Sequence, residues 1–250
     1  MLWVLDLDGV VWLAGSPIPG SASAIERLHA AGHRVAFVTN NSTPRVAEHV
    51  ERLAHAGVQA GADELVTSAQ AAASILEPGA RVACIAGGGV REALKQRGVS
   101  IVAPIELPDA VVVGRTLSLD FQELSDAASA IRSGARFIAT NTDATFPTPH
   151  GLEPGAGALV AFLEAASGQK PETAGKPAKP MSELLKARFG EVGIVVGDRP
   201  DTDGLFARRL GAKFALVLSG VTRESDLPVD PAPDLLGGDL QAVVASQLNG

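Results

Sequence analysis

The chain begins with an uninterrupted apolar run, Leu2-Trp3-Val4-Leu5, that ends in two carboxylates, Asp6 and Asp8, and a glycine, Gly9. A run without polar alternation suits a strand buried on both faces, the environment of a parallel sheet covered by helices. Residues leaving the carboxyl end of such a strand enter the crevice where α/β sheets bind ligands. Asp6 and Asp8, two apart on an extended chain, point to the same side. Two carboxylates in a half-buried crevice repel, so one takes up a proton unless a counter-charge is present. A divalent cation supplies that charge. The competing reading is an ordinary strand-end turn, for which Asp and Gly are common residues.

The same punctuation recurs downstream. Ser23 to Ala31 reads as a helix, with Ile25 and Leu28 on one face, Ser23 and Glu26 spaced as a capping box and Gly32 as the stop. Arg34 to Val38 gives a second strand, after which Thr43 and Pro44 read as N-cap and first residue of a helix ending at Gly57. Towards the far end, Gly193 to Val196 and Lys213 to Leu218 read as strands around a short helix from Leu205 to Gly211. Right-handed crossovers place these strands in one parallel sheet, which predicts an α/β, Rossmann-like core. The middle of the chain carries its own strands and helices and is bounded by Glu77-Pro78-Gly79 and by Lys170-Pro171 and Gly175-Lys176-Pro177. The expectation is a core of residues 1–78 and 175–250 with an α/β domain of residues 79–174 inserted into it.

Composition narrows the functional classes. A net charge of -7 over 250 residues, with no dense Lys or Arg run, argues against nucleic acid as a partner. No apolar run approaches the ~18 residues of a membrane span, and no basic leader precedes Asp6, so no membrane partner and no signal peptide are expected. Cys84 is the single cysteine, which suits a reducing, cytoplasmic setting.

Three further segments carry potential chemistry. Thr39-Asn40-Asn41, at a strand's carboxyl end, offers a hydroxyl and backbone amides as an anion cradle, or else a plain Asx turn. Lys176 precedes a proline, which favours an extended backbone and an inward reach, although a lone lysine is usually exposed. Asp198, Asp201 and Asp203 crowd the end of the Gly193 to Val196 strand and predict a site for a hard cation such as Mg²⁺, an acidic solubilising loop being the alternative.

Together, Asp6-Leu7-Asp8-Gly9-Val10, Val38-Thr39-Asn40-Asn41-Ser42, Gly175-Lys176-Pro177 and Val196-Gly197-Asp198 through Asp203 resemble, in order and spacing, the four motifs of the haloacid dehalogenase superfamily. Within it, Ala139-Thr140-Asn141-Thr142-Asp143 and Leu218-Ser219-Gly220-Val221-Thr222 are similar to segments of the nitrophenylphosphatase and NagD-like phosphatases. The resemblance implies a C2-type cap inserted in the core and a Mg²⁺-dependent phosphatase acting on a small phosphorylated metabolite. It implies Asp6 as nucleophile and Asp8 as general acid, Thr39, Asn40 and Lys176 around the phosphoryl group, and metal held by Asp6, the Asp8 carbonyl, Asp198 and Asp203. It further implies a substrate-facing cap loop containing His150, and a possible homodimer.

Two other readings compete. A dehalogenase or phosphonatase could use the same core, but a halide needs no general acid. A phospho-receiver or phosphate-sensing module also groups aspartate, threonine and lysine, but has no use for an inserted domain of this size. Gly87-Gly88-Gly89 and Gly155-Ala156-Gly157 read as turns, since neither completes a nucleotide-binding motif. His29, His33, His49 and His55 read as surface positions without metal-ligand spacing, and Cys84 as a buried packing residue.

Overall fold

In the computed structural model, which describes residues 1–148 and 150–248, the opening run Leu2–Leu5 is a fully buried strand at the middle of a six-stranded sheet. The order is Leu235–Gly237, Lys213–Val217, Ile194–Gly197, Leu2–Leu5, Arg34–Thr39, Leu65–Thr67, and the first five run parallel. The register sets Leu5 beside both Val196 and Phe37. Asp6, Asp198 and Thr39 therefore leave three adjacent strands at the same, carboxyl edge of the sheet. Trp3, Phe37, Phe206 and Phe214 are fully buried there, with Leu28 and Leu53 supplied by helices Ser21–Ala30 and Val46–His55.

A second parallel sheet has the order Glu172–Thr173, Arg136–Ala139, Ala110–Val113, Arg81–Ile85, Ser100–Ile101. Helices Phe121–Arg132 and Ala156–Ser167 bury Leu124, Ala127, Ile131, Val160 and Leu163 with Val111, Val113 and Phe137 of that sheet. Two compact units result. One contains residues 1–39, 47–66 and the chain from Ser182 onward; the other contains residues 40–46 and 67–181. Among the described residues no helix is long and apolar enough to cross a membrane.

Several local expectations shift. The first helix starts at Ser21, not Ser23, because Gly20 takes the left-handed conformation at its N-cap, and the Ser21 hydroxyl donates to the Val10 carbonyl. Ser23 and Glu26 are thus inside the helix and form no capping box. The next helix starts at Val46 instead of Pro44. The Thr43 hydroxyl donates to the Arg115 carbonyl instead of capping, and the Glu92 carboxylate accepts the Val46 N–H. His49, expected on the surface, is buried on the inner face of that helix. Helix Ser68–Ser74 was not anticipated, although Thr67 and Gln70 form a reciprocal capping box at its start.

Candidate active site

At the carboxyl edge of the first sheet, Asp6, Asp198 and Asp203 bring carboxylate oxygens within 4.8 Å of one another. All three are buried, with 9%, 2% and 0% of their surface exposed. Three carboxylates this close, this far from water, require positive charge among them, since uncompensated burial of even one ion costs several kcal/mol. The donor set is all oxygen, the preference of Mg²⁺, which takes one or two carboxylates and completes its shell with water or substrate. The cluster fits that ion.

Each carboxylate accepts a backbone N–H. Asp6 Oδ1 accepts the Leu7 N–H at 2.8 Å. Asp203 lies in the helical turn Pro200–Gly204, and its Oδ2 accepts the Arg199 N–H at 3.2 Å. Asp198 is fixed by a segment far along the chain: Val221 N–H donates to Oδ2 at 2.6 Å, and the Thr222 hydroxyl donates to the Asp198 carbonyl at 2.5 Å. Close approach here requires glycine. A Cβ on Gly9, whose φ is +81°, or on Gly220 would collide with the Asp198 carboxylate.

Asp8 stands apart from the three. Its side chain is half-buried, and Oδ1 accepts the Trp12 indole N–H at 3.1 Å. Residues 7–12 close on themselves, with Val11 and Trp12 N–H donating to the Leu7 carbonyl and Gly9 N–H donating to the Trp12 carbonyl at 2.7 Å. The Ser219 hydroxyl donates to the Gly9 carbonyl at 2.7 Å, so the 219–222 segment braces both acidic loops. Thr39 is buried at the end of its strand.

Asn40 and Lys176 belong to the second unit, where each is buried. The Asn40 amide pairs with the Lys176 backbone as a neighbouring strand would: Oδ1 accepts Lys176 N–H at 2.8 Å, and Nδ2 donates to the Lys176 carbonyl at 3.1 Å. Nδ2 also donates to Asp143 at 3.3 Å, while Asn141 and Ser68 donate to the Asn40 carbonyl at 2.7 and 2.6 Å. His150 sits at the exposed tip of the hairpin Thr145–Thr148 and Gly151–Pro154, its N–H on the Thr148 hydroxyl. Its neighbour Pro149 lies outside the described residues. Cys84 is buried in its strand, and burial pushes its thiol up to about 11, which keeps it protonated and unreactive at neutral pH.

Sequence reasoning missed Trp12, and marked the segments 139–143 and 218–222 only by their likeness to the family, without the bonds by which Ser219 and Thr222 hold the acidic loops and Asn141 and Asp143 hold Asn40. Trp12 carried one readable signal, a side-chain donor four residues after a carboxylate.

Comparison with known proteins agrees with this geometry. A family model of haloacid dehalogenase-like hydrolases matches residues 3–100, and a second model of HAD-hydrolase-like proteins matches residues 173–243. The chain belongs to the haloacid dehalogenase-like hydrolases. The D-glycerol 3-phosphate phosphatase of Mycobacterium tuberculosis is 36% identical over 249 residues, covering 96% of this chain and 70% of that protein. A p-nitrophenyl phosphatase from Archaeoglobus fulgidus superposes with a TM-score of 0.91 at 31% identity over 98% of both chains. A glycerol phosphate phosphatase of M. tuberculosis in complex with magnesium superposes at 0.90, with 36% identity, covering 97% of this chain and 75% of that one. Within the family, the chain falls among the nitrophenylphosphatase and NagD-like phosphatases, hydrolases of phosphate monoesters that use Mg²⁺.

Proposed function

We propose that this protein hydrolyses a small-molecule phosphate monoester through an aspartyl-phosphate on Asp6. The observation that carries the reading is the buried Asp6, Asp198 and Asp203 cluster at the sheet edge. Mg²⁺, when bound there, offsets the charge of the carboxylates and of the incoming phosphoryl oxygens. An Asp6 oxygen attacks phosphorus as the ester P–O bond breaks, and the Asp8 carboxyl gives its proton to the departing oxygen. Asp8, now a carboxylate, takes a proton from the water that attacks phosphorus next. The bond to Asp6 then breaks, inorganic phosphate leaves and both acids return to their starting states. Thr39 and the Asn40 amide are assigned the phosphoryl oxygens, and Lys176 their charge, on the motifs they share with the family. The Asp8 carbonyl, Asp198 and Asp203 are assigned to the metal with Asp6.

The catalytic core is assigned to residues 1–78 and 175–250, and the cap, which selects the organic part of the substrate, to residues 79–174. His150 is assigned to the cap's substrate-facing loop. Glycerol phosphate and sugar phosphates are the first candidates, because relatives bear those names. A cytoplasmic site of action and a homodimer complete the proposal, with neither nucleic acid nor membrane as a partner. Phosphate release from an aryl phosphate with Mg²⁺ tests it: Asp6→Asn should lower turnover on the order of 10⁴-fold or more while leaving the fold intact. Substantial turnover by that variant would overturn it.

A further inference from the structure

The bond from Trp12 to Asp8 is used by neither the metal cluster nor the phosphoryl assignments. Trp12 is 6% exposed and begins the hairpin Trp12–Leu13 and Ser16–Pro17, so its ring is fixed by packing as well as by the turn that closes residues 7–12. An indole N–H can donate and never accept. Asp8 Oδ1, at 3.1 Å from it, is therefore an acceptor in both protonation states of the carboxyl. The better acceptor of a protonated carboxyl is its carbonyl oxygen, so this bond favours the transferable proton on Oδ2.

We infer that Trp12 is a positioning residue for the general acid, selecting which oxygen of Asp8 carries the proton given to the leaving group. The inference rests on Asp8 being that acid. In the first step the Oδ2–H bond breaks as the leaving oxygen gains the proton and the P–O ester bond cleaves. In the second, the proton from the attacking water returns to Oδ2, and the indole bond persists throughout. Without the indole N–H that preference is lost, and the proton can occupy Oδ1 as well.

The consequence depends on the leaving group. An alkoxide needs the proton to depart, whereas 4-nitrophenolate departs with little help. The test compares kcat/KM for glycerol phosphate and for 4-nitrophenyl phosphate in wild type, Trp12→Phe, Asp8→Asn and the double variant, because kcat/KM reports the steps through departure of the leaving group and not the later water step that both substrates share. Asp8→Asn should lose kcat/KM on glycerol phosphate far more than on the aryl ester. Trp12→Phe should lose about three- to tenfold in kcat/KM on glycerol phosphate, the worth of one hydrogen bond, with kcat/KM on the aryl ester nearly unchanged. In the Asp8→Asn background it should add nothing. A benzothienyl analogue of tryptophan at position 12, which replaces the N–H by sulfur in the same ring shape, should behave as Trp12→Phe does and decides the matter if the phenylalanine variant packs badly. Equal losses on both substrates in the position-12 variants, or none, would overturn the role of Trp12 alone. Equal losses on both substrates in Asp8→Asn would remove the acid assignment, and this inference with it.

Discussion

The acidic edge of the first sheet and the hairpin Thr145–Thr148 and Gly151–Pro154 differ in almost every physical respect. At the sheet edge, three carboxylates are at most 9% exposed, and each is held by a backbone N–H. On the hairpin, Leu152 is 73% exposed, Thr145 and His150 are exposed, and the last is tied by its backbone to the Thr148 hydroxyl. Preorganised dipoles around developing charge account for most of the rate in phosphoryl transfer, and they act best where water is excluded. The edge has that character; the hairpin has the character of a surface that can vary without disturbing the fold. The proposed function places the chemistry at the buried edge and the selectivity among the exposed side chains of the hairpin.

Breaking the edge should cost far more than breaking the hairpin. Thr222→Val removes the hydroxyl that holds the Asp198 carbonyl, and should weaken Mg²⁺ activation about 10- to 100-fold, read as the half-saturating Mg²⁺ concentration for phosphate release. An unchanged Mg²⁺ requirement would mean that the 219–222 segment does not hold the metal site. Asn40→Ala leaves the backbone of Lys176 without the amide that pairs with it, and should destabilise the protein by about 1–3 kcal/mol in urea unfolding, because buried polar groups lose their partners. His150→Ala, at the hairpin tip, should change stability by no more than about 0.5 kcal/mol, as exposed substitutions usually do. It should leave aryl phosphate turnover nearly intact, with any effect confined to preference among natural phosphates. A collapse of aryl turnover in that variant would erase the contrast between the two regions.

The same contrast explains what could be read from the sequence. Leu2–Leu5, Arg34–Thr39 and Lys213–Val217 were legible because a strand covered on both faces admits apolar residues and little else. Helix ends at Gly57 and Gly211 were legible because the left-handed turn there favours glycine. Asp6, Asp8 and Asp198 stood out as carboxylates at the ends of apolar runs, and Lys176 only through the likeness of Gly175-Lys176-Pro177 to the family's third motif. The hairpin with its Pro147 was missed, since an exposed two-stranded element has no apolar alternation to announce it. The start of the helix at Val46 was misplaced because its cap comes from Glu92, 46 residues away. His49 was assigned to the surface because helical spacing alone does not show which face a neighbouring element covers.

The covalent intermediate on Asp6 is the claim on which the rest depends. Wild-type enzyme turning over 4-nitrophenyl phosphate with Mg²⁺ can be quenched with borohydride, which reduces an acyl phosphate to the alcohol and leaves free carboxylates unchanged, and its peptides then read by mass spectrometry. The account predicts reduction at position 6, dependent on substrate and absent from Asp6→Asn. Steady turnover with no reduced residue, or with the mark on another carboxylate, would contradict it.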